Sequence, residues 1–128
     1  MKVLLDTHAL LWAAFRTDLL SDRACKLIQS PSNEILVSAA SAWEIATKYR
    51  LGKLPLAQVL VEDFIRKVTA AGYTLLSISA EHALRAGRLP ADHRDPFDRM
   101  LAAQAIHEDL PLLSCDEQID VFGVRREW

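Results

Sequence analysis

Short apolar runs alternate along this chain with longer stretches of helical periodicity, and that alternation restricts the possible topologies more than any other feature. Val3-Leu4-Leu5 ends in Asp6 and feeds a helical stretch from Thr7 to Phe15. Glu34 to Ser38 is short, partly β-branched and continuous enough to be a strand buried on both faces. Tyr73 to Ile78 and Pro111 to Ser114 read as the third and fourth strands, and Val121 to Val124 as a short edge strand. The intervening helices are expected over Asp22 to Gln29 behind the cap Ser21, over Ala39 to Arg50 closed by Gly52, and over Ala80 to about Arg88 behind Ser79. A further long helix is expected from Leu54-Pro55 to Gly72, where Leu56, Val59, Leu60, Phe64 and Val68 keep helical spacing. Strands separated by whole helices need crossover connections, so the expected fold is α/β, a mainly parallel central sheet flanked by helices.

In such a sheet ligands bind beyond the carboxyl ends of the strands, and four acids are directed there. Asp6 ends the first strand, Glu44 lies just inside the helix after the second, and Asp116 follows the fourth by two residues. The fourth acid comes from Asp95-Pro-Phe-Asp98-Arg-Met-Leu-Ala-Ala-Gln-Ala105, a helix start with Asp95 as N-cap and Pro96 at the first position. Asp98 heads a column continued by Ala102 and Ala105, so its carboxylate faces the body of the protein, where a charge is costly without a cation or donors.

Four carboxylates on one rim repel one another unless a hard divalent cation neutralises them, and magnesium or manganese is the natural occupant. The chemistry that follows is attack of water on a phosphodiester, assisted by the metal. Each acid also has a plainer reading. Asp6 and Asp116 suit helix or turn caps, Ser41-Ala-Trp-Glu44 matches a capping box, and Asp98 can join Asp95 as a helix-start acid. The helix beginning straight after Ser38 leaves Glu44 inside it, against the capping box. No Ser-His-Asp order, phosphate-cradling glycine loop or zinc spacing competes. A phosphatase using Asp6 as nucleophile would want a second Asp where His8 stands.

With 128 residues, 51% of them apolar, one domain over residues 1–128 is expected. A net charge of −2 argues against a generally basic nucleic-acid coat and leaves room for local basic patches. Cys25 and Cys115 lie far apart without ligand spacing, and with no signal peptide reduced thiols in a cytoplasm are expected. Charge interrupts every apolar run well short of a membrane span. His8, His82, His93 and His107 show no ligand spacing and are read as surface residues or as satisfied by neighbours. Trp12, Trp43 and Phe97 fall within helical apolar periodicity and are read as core rather than base-stacking platforms. Lys48, Arg50 and Lys53 form one basic cluster, and Arg85, Arg88, Arg94 and Arg99 another. Solvated faces are the default for both, with Arg99, Lys48 and Arg94 as candidate contacts to backbone phosphates.

With those residues in view, the chain resembles the PIN-domain nucleases, and within them the VapC-type toxins of bacterial toxin–antitoxin pairs. The resemblance rests on Leu4-Leu-Asp6-Thr-His-Ala-Leu-Leu-Trp12, Val37-Ser-Ala-Ala-Ser-Ala-Trp-Glu44-Ile-Ala-Thr-Lys48, Leu51-Gly-Lys-Leu54, Leu89-Pro, His93-Arg-Asp-Pro-Phe-Asp98 running on to Ala105, and Leu113-Ser-Cys-Asp116. These span nearly the whole chain in order. The resemblance implies a PIN-like three-layer fold and magnesium- or manganese-dependent cleavage of RNA, with Asp6, Glu44 and Asp98 as the acidic core and Asp116 at a looser fourth position. Many relatives carry threonine where Ser114 stands, and the hydroxyl is kept. Thr7 and Ser114 would orient metal waters. The resemblance further implies a cognate antitoxin protein and a homodimer. The expected function is thus that of an endoribonuclease toxin. The alternatives are a PIN nuclease in RNA processing and a catalytically silent partner-binding module whose acids are caps.

Overall fold

The structure, a computed structural model, describes residues 1–128. Five parallel strands, β1 (Lys2–Leu5), β2 (Glu34–Ser38), β3 (Thr74–Leu76), β4 (Leu112–Leu113) and β5 (Arg126–Glu127), lie in the order β3-β2-β1-β4-β5. The parallel sheet expected from the alternation is therefore present, and its central strand is the one that ends in Asp6. Register pairs Val3 with Ile35 and Leu5 with Val37. Because successive side chains point to opposite faces, these four residues join one apolar cluster with Leu10, Ala24, Leu60 and Val68, whereas Leu4, Leu36 and Leu112 join another with Leu101, Ala102, Ala105 and Ile119. One core lies on each face of the sheet, which makes three layers.

The first face is covered by α1 (Thr7–Phe15), α2 (Asp22–Gln29) and the segment from Pro55 to Ala70, the second chiefly by α7 (Pro96–His107) and a 3-10 turn at Glu117–Phe122. The helix α3 (Ala39–Arg50) starts at Ser38, whose side chain accepts from the amide of Ala40. α6 (Ala80–Arg88) starts at Ser79, whose hydroxyl accepts from the His82 amide while its own amide donates to His82 Nδ1, a capping box with histidine in the usual Glu position.

Three expectations need correction. The long helix from Leu54 to Gly72 is broken into a 3-10 turn at Pro55–Ala57, α4 (Gln58–Glu62) and α5 (Phe64–Ala70), because Asp63 leaves helical space with φ −152° and ψ 49°. The break frees the carbonyl of Val59, which the Lys67 ammonium takes up. Apolar spacing recorded the shared face and not the bend. The edge strand expected at Val121 to Val124 is instead at Arg126–Glu127, since Gly123, at φ 76°, ends the preceding 3-10 turn. Finally, Trp43 is not core: its residue is 55% exposed. Its helix meets the sheet through Ala40, Ser41, Glu44 and Ile45, which turns position 43 outward.

Candidate active site

Each candidate acid arrives by a different local route. Asp6 follows β1 directly and its Oδ1 accepts from the amide of Ala9 at 2.7 Å, so the cap reading holds for it. A carboxylate that only capped could stay in water, but Asp6 is 5% exposed. Burial pushes its carboxyl up to about 6 from 3.8, against hydrogen bonding from Ser114 and from Ala9, and the charge of Asp98 adds to the rise. Asp98 is relieved of capping by Asp95, which accepts from the amides of Phe97 and Asp98. Its own Oδ2 lies 2.9 Å from His93 Nε2. Burial raises the Asp98 carboxyl as well, His93 opposing and the charges of Asp95 and Glu44 adding.

Glu44 is 3% exposed and forms an ion pair with Lys48 one turn along α3. It takes no part in a capping box, because Ser38 caps the helix and Ser41 instead meets the Thr7 hydroxyl at 3.0 Å. Asp116 caps the Glu117–Phe122 turn through the amide of Gln118, and its own amide donates to Ser114 Oγ at 3.0 Å. Ser114 thereby links Asp116 to Asp6. The electrostatic chain closes at Cys115, whose thiol is raised by burial first and then by the charges of Asp6 and Asp116. The rim therefore runs from Asp116 through Asp6 and Asp98 to Glu44, along the carboxyl edge of the sheet.

The phosphate candidates separate. Lys48 is held by Glu44, and Arg94 is exposed. Arg99 is committed elsewhere: its guanidinium donates to the carbonyls of Ala86, Gly87, Leu89, Ala91 and His93. All of the five donors of an arginine are spent there, so Arg99 shapes the loop that carries His93. The pairing of His93 with Asp98 escaped the sequence reading, although a histidine five residues before an acid was the available signal.

The chemistry of the donor set fits a hard cation. Asp6, Glu44, Asp98 and Asp116 offer only oxygen, and the buried Asp6 carboxylate has hydrogen-bond donors and, as a neighbouring source of positive charge, the imidazole of His8. The one group of three His, Cys or acidic ligand atoms within 4.8 Å of one another is His82, His107 and Glu108, away from this rim. One or two rim carboxylates would thus touch an ion directly, the others through water, the usual coordination of magnesium. The His82 group suits a metal less well. Its Nδ1 accepts from a backbone amide, so Nε2 carries the proton and donates to Glu108 at 2.8 Å, leaving no lone pair for a metal.

A family model described as PIN domain matches residues 3–124. Over 56 residues, 44% of this chain, the sequence is 43% identical to Ribonuclease VapC16 of Mycobacterium tuberculosis, and the match spans 40% of that protein. Among solved structures the chain is similar to VapBC2 of Rickettsia felis bound to a promoter DNA fragment, with TM-score 0.65, 17% identity and coverage of 100% of this chain and 99% of that one. It is similar also to VapBC-1 of nontypeable Haemophilus influenzae, with TM-score 0.66, 14% identity and coverage of 99% and 97%. At these identities the structural likeness is one of fold.

Proposed function

We propose that this chain, which belongs to the PIN-domain family, is a metal-dependent endoribonuclease and the toxin of a toxin–antitoxin pair, hydrolysing RNA with Mg2+ or Mn2+. The observation that carries the reading is the buried Asp6 carboxylate, raised to about 6 by burial, with the charge of Asp98 from a distant part of the chain as a smaller contribution. Two such groups at one strand end are mutually unfavourable when ionised, and a divalent cation reverses that balance. The likeness to Ribonuclease VapC16 supports RNA as substrate, and the likeness to the VapBC structures supports an antitoxin as partner.

In this reading Asp6 and Asp98 hold the ion, with Glu44 and Asp116 completing its surroundings. When bound, the ion neutralises charge on the scissile phosphate and makes a water more acidic. Ser114 orients Asp6, and the Thr7 hydroxyl, steadied by Ser41, is available to orient water. Lys48, which pairs with Glu44, and the exposed Arg94 would be the cations nearest in sequence to these acids for the RNA backbone. Hydrolysis leaves a 5′ phosphate and a 3′ hydroxyl.

A cavity of about 270 Å³ between α1 and α5, lined by Leu10, Ala14, Phe15, Val59 and Val68 among others, offers apolar surface to an antitoxin segment. No helix is long and apolar enough to cross a membrane; a cytoplasmic setting belongs to the proposal. A homodimer completes the proposal.

Asp6→Asn or Asp98→Asn is expected to abolish metal-dependent RNA cleavage while circular dichroism stays unchanged; undiminished cutting overturns the assignment. The second reading, a silent binding module, draws on the fact that Asp6 and Asp116 do cap. Calorimetry with manganese separates the two, because absence of binding at millimolar metal favours the module.

A further inference from the structure

Two aromatic rings border the acidic rim. Trp43 immediately precedes the buried Glu44 on α3, and Phe97 immediately precedes Asp98 on α7. The rings meet with centroids 4.7 Å apart and planes at 73°. That contact covers only part of the indole, which remains more than half exposed, whereas Trp12 is half-buried against Trp128. An indole is among the largest apolar surfaces a chain can leave in water. It is also held in place here by a neighbour, so little rotamer freedom is left to lose on binding.

We propose that Trp43, steadied by Phe97, is a stacking platform for an unpaired nucleobase adjacent to the phosphodiester engaged by the acids; this rests on the ribonuclease reading. The surroundings favour a base over a protein side chain. A protein anchor wants an apolar collar that excludes water, but Arg50 is exposed on the same side of α3, and Arg94 is exposed just before the cap of α7. Arg50 lies seven residues beyond Trp43, about 10 Å along one face of the helix. An exposed flat ring with a free cation on its own helix, Arg50, and another just ahead of its partner's helix, Arg94, suits a base with its flanking phosphates. Of the other exposed aliphatic residues, Leu56, Val59 and Ile65 lie on the segment that forms one wall of the α1 to α5 cavity, Leu84 and Val121 lie on further elements, and Leu51 follows the far end of α3. Stacking tolerates any base, so the platform selects for single-strandedness rather than for sequence.

The test uses the full chain, with Asp98→Asn added for binding so that the RNA stays intact. A single-stranded mixed-sequence oligoribonucleotide is titrated against tryptophan emission, with a duplex of equal length as control. Quenching is expected with the single strand, weaker with the duplex, and lost in Trp43→Phe, where Trp12 and Trp128 remain. In the cleaving chain Trp43→Ala is expected to raise KM about 5- to 100-fold with kcat little changed, and Trp43→Phe to restore most of the affinity. If the alanine variant is poorly folded by circular dichroism, Trp43→Gln replaces it. Unchanged KM in a variant that folds overturns the platform. So does a defect confined to capture of an antitoxin, which would make Trp43 a protein-docking residue. The two levels separate cleanly: a wild-type chain that cuts no RNA but is quenched by single strands refutes the nuclease reading alone, and one that cuts with Trp43 immaterial refutes the platform alone.

Discussion

Asp6 serves two requirements that conflict. As an N-cap it must offer an oxygen to the amide of Ala9, and as the last residue before α1 it is carried under the surface, where its charge is poorly solvated. The folded chain therefore holds a proton, up to about pH 6, that an unfolded chain releases near 3.8. Stability contributed by that proton is fully present below 3.8 and is lost as pH rises through 6, a change of roughly 3 kcal/mol at most. Asparagine caps as well as aspartate and carries no charge. Asp6→Asn is thus expected to melt several degrees above the wild type at pH 7.5 in chelator and to match it near pH 4, measured by thermal denaturation at each pH; parallel profiles would mean the Asp6 charge is already compensated. Glu44 is buried as deeply but has Lys48 beside it, and Lys48→Met is expected to destabilise the chain at neutral pH by leaving that carboxylate unpaired.

At the scale of elements, α7 ties the site together. Gln104 is fully buried; its Oε1 accepts from Ser38 Oγ at 2.5 Å and its Nε2 donates to the carbonyl of Ser77 at 3.3 Å, so one side chain joins the end of β2 to the loop after β3. Gln104→Leu takes away the acceptor of the buried Ser38 hydroxyl, which keeps only the Ala40 amide donating to it, and a donor to the carbonyl of the exposed Ser77. A loss of about 1 to 3 kcal/mol is expected, read as a lower urea midpoint with the slope unchanged. On the same helix Arg99 gathers the carbonyls of residues 86 to 93. Lysine has three donors and no planar fork. Arg99→Lys is therefore expected to speed tryptic cutting after Arg88 and Arg94 and to depress RNA cleavage, since the loop also sets His93 against Asp98. Equal proteolysis of both proteins would show that other contacts hold the loop.

For the whole molecule, the acidic rim makes the fold and a bound cation mutually dependent. At neutral pH millimolar Mn2+ is expected to raise the melting temperature of the wild type, by up to about 2.7 kcal/mol in stability at a hundred times its Kd. The gain should vanish in Asp6→Asn and shrink near pH 4.5, where protons compete for the same oxygens. Metal stabilisation that survives Asp6→Asn would point to another site. The order of strands and helices was legible because each is written locally: short continuous apolar runs for β1 and β2, whose odd and even residues part between two cores, and the helical repeat for α3 and α7. The caps at Ser21, Ser79 and Asp95 were legible for the same reason, being interactions over a few residues. From this alternation alone came a parallel sheet and, with it, an edge to which Asp6, Glu44, Asp98 and Asp116 must come. Tertiary structure alone decided that Trp43 faces outward, that the segment around Asp63 bends and that Arg99 turns to the loop. Each of those depends on which surfaces meet in space, and a periodic pattern along one chain carries no information about the partner that a side chain finds from a distant segment.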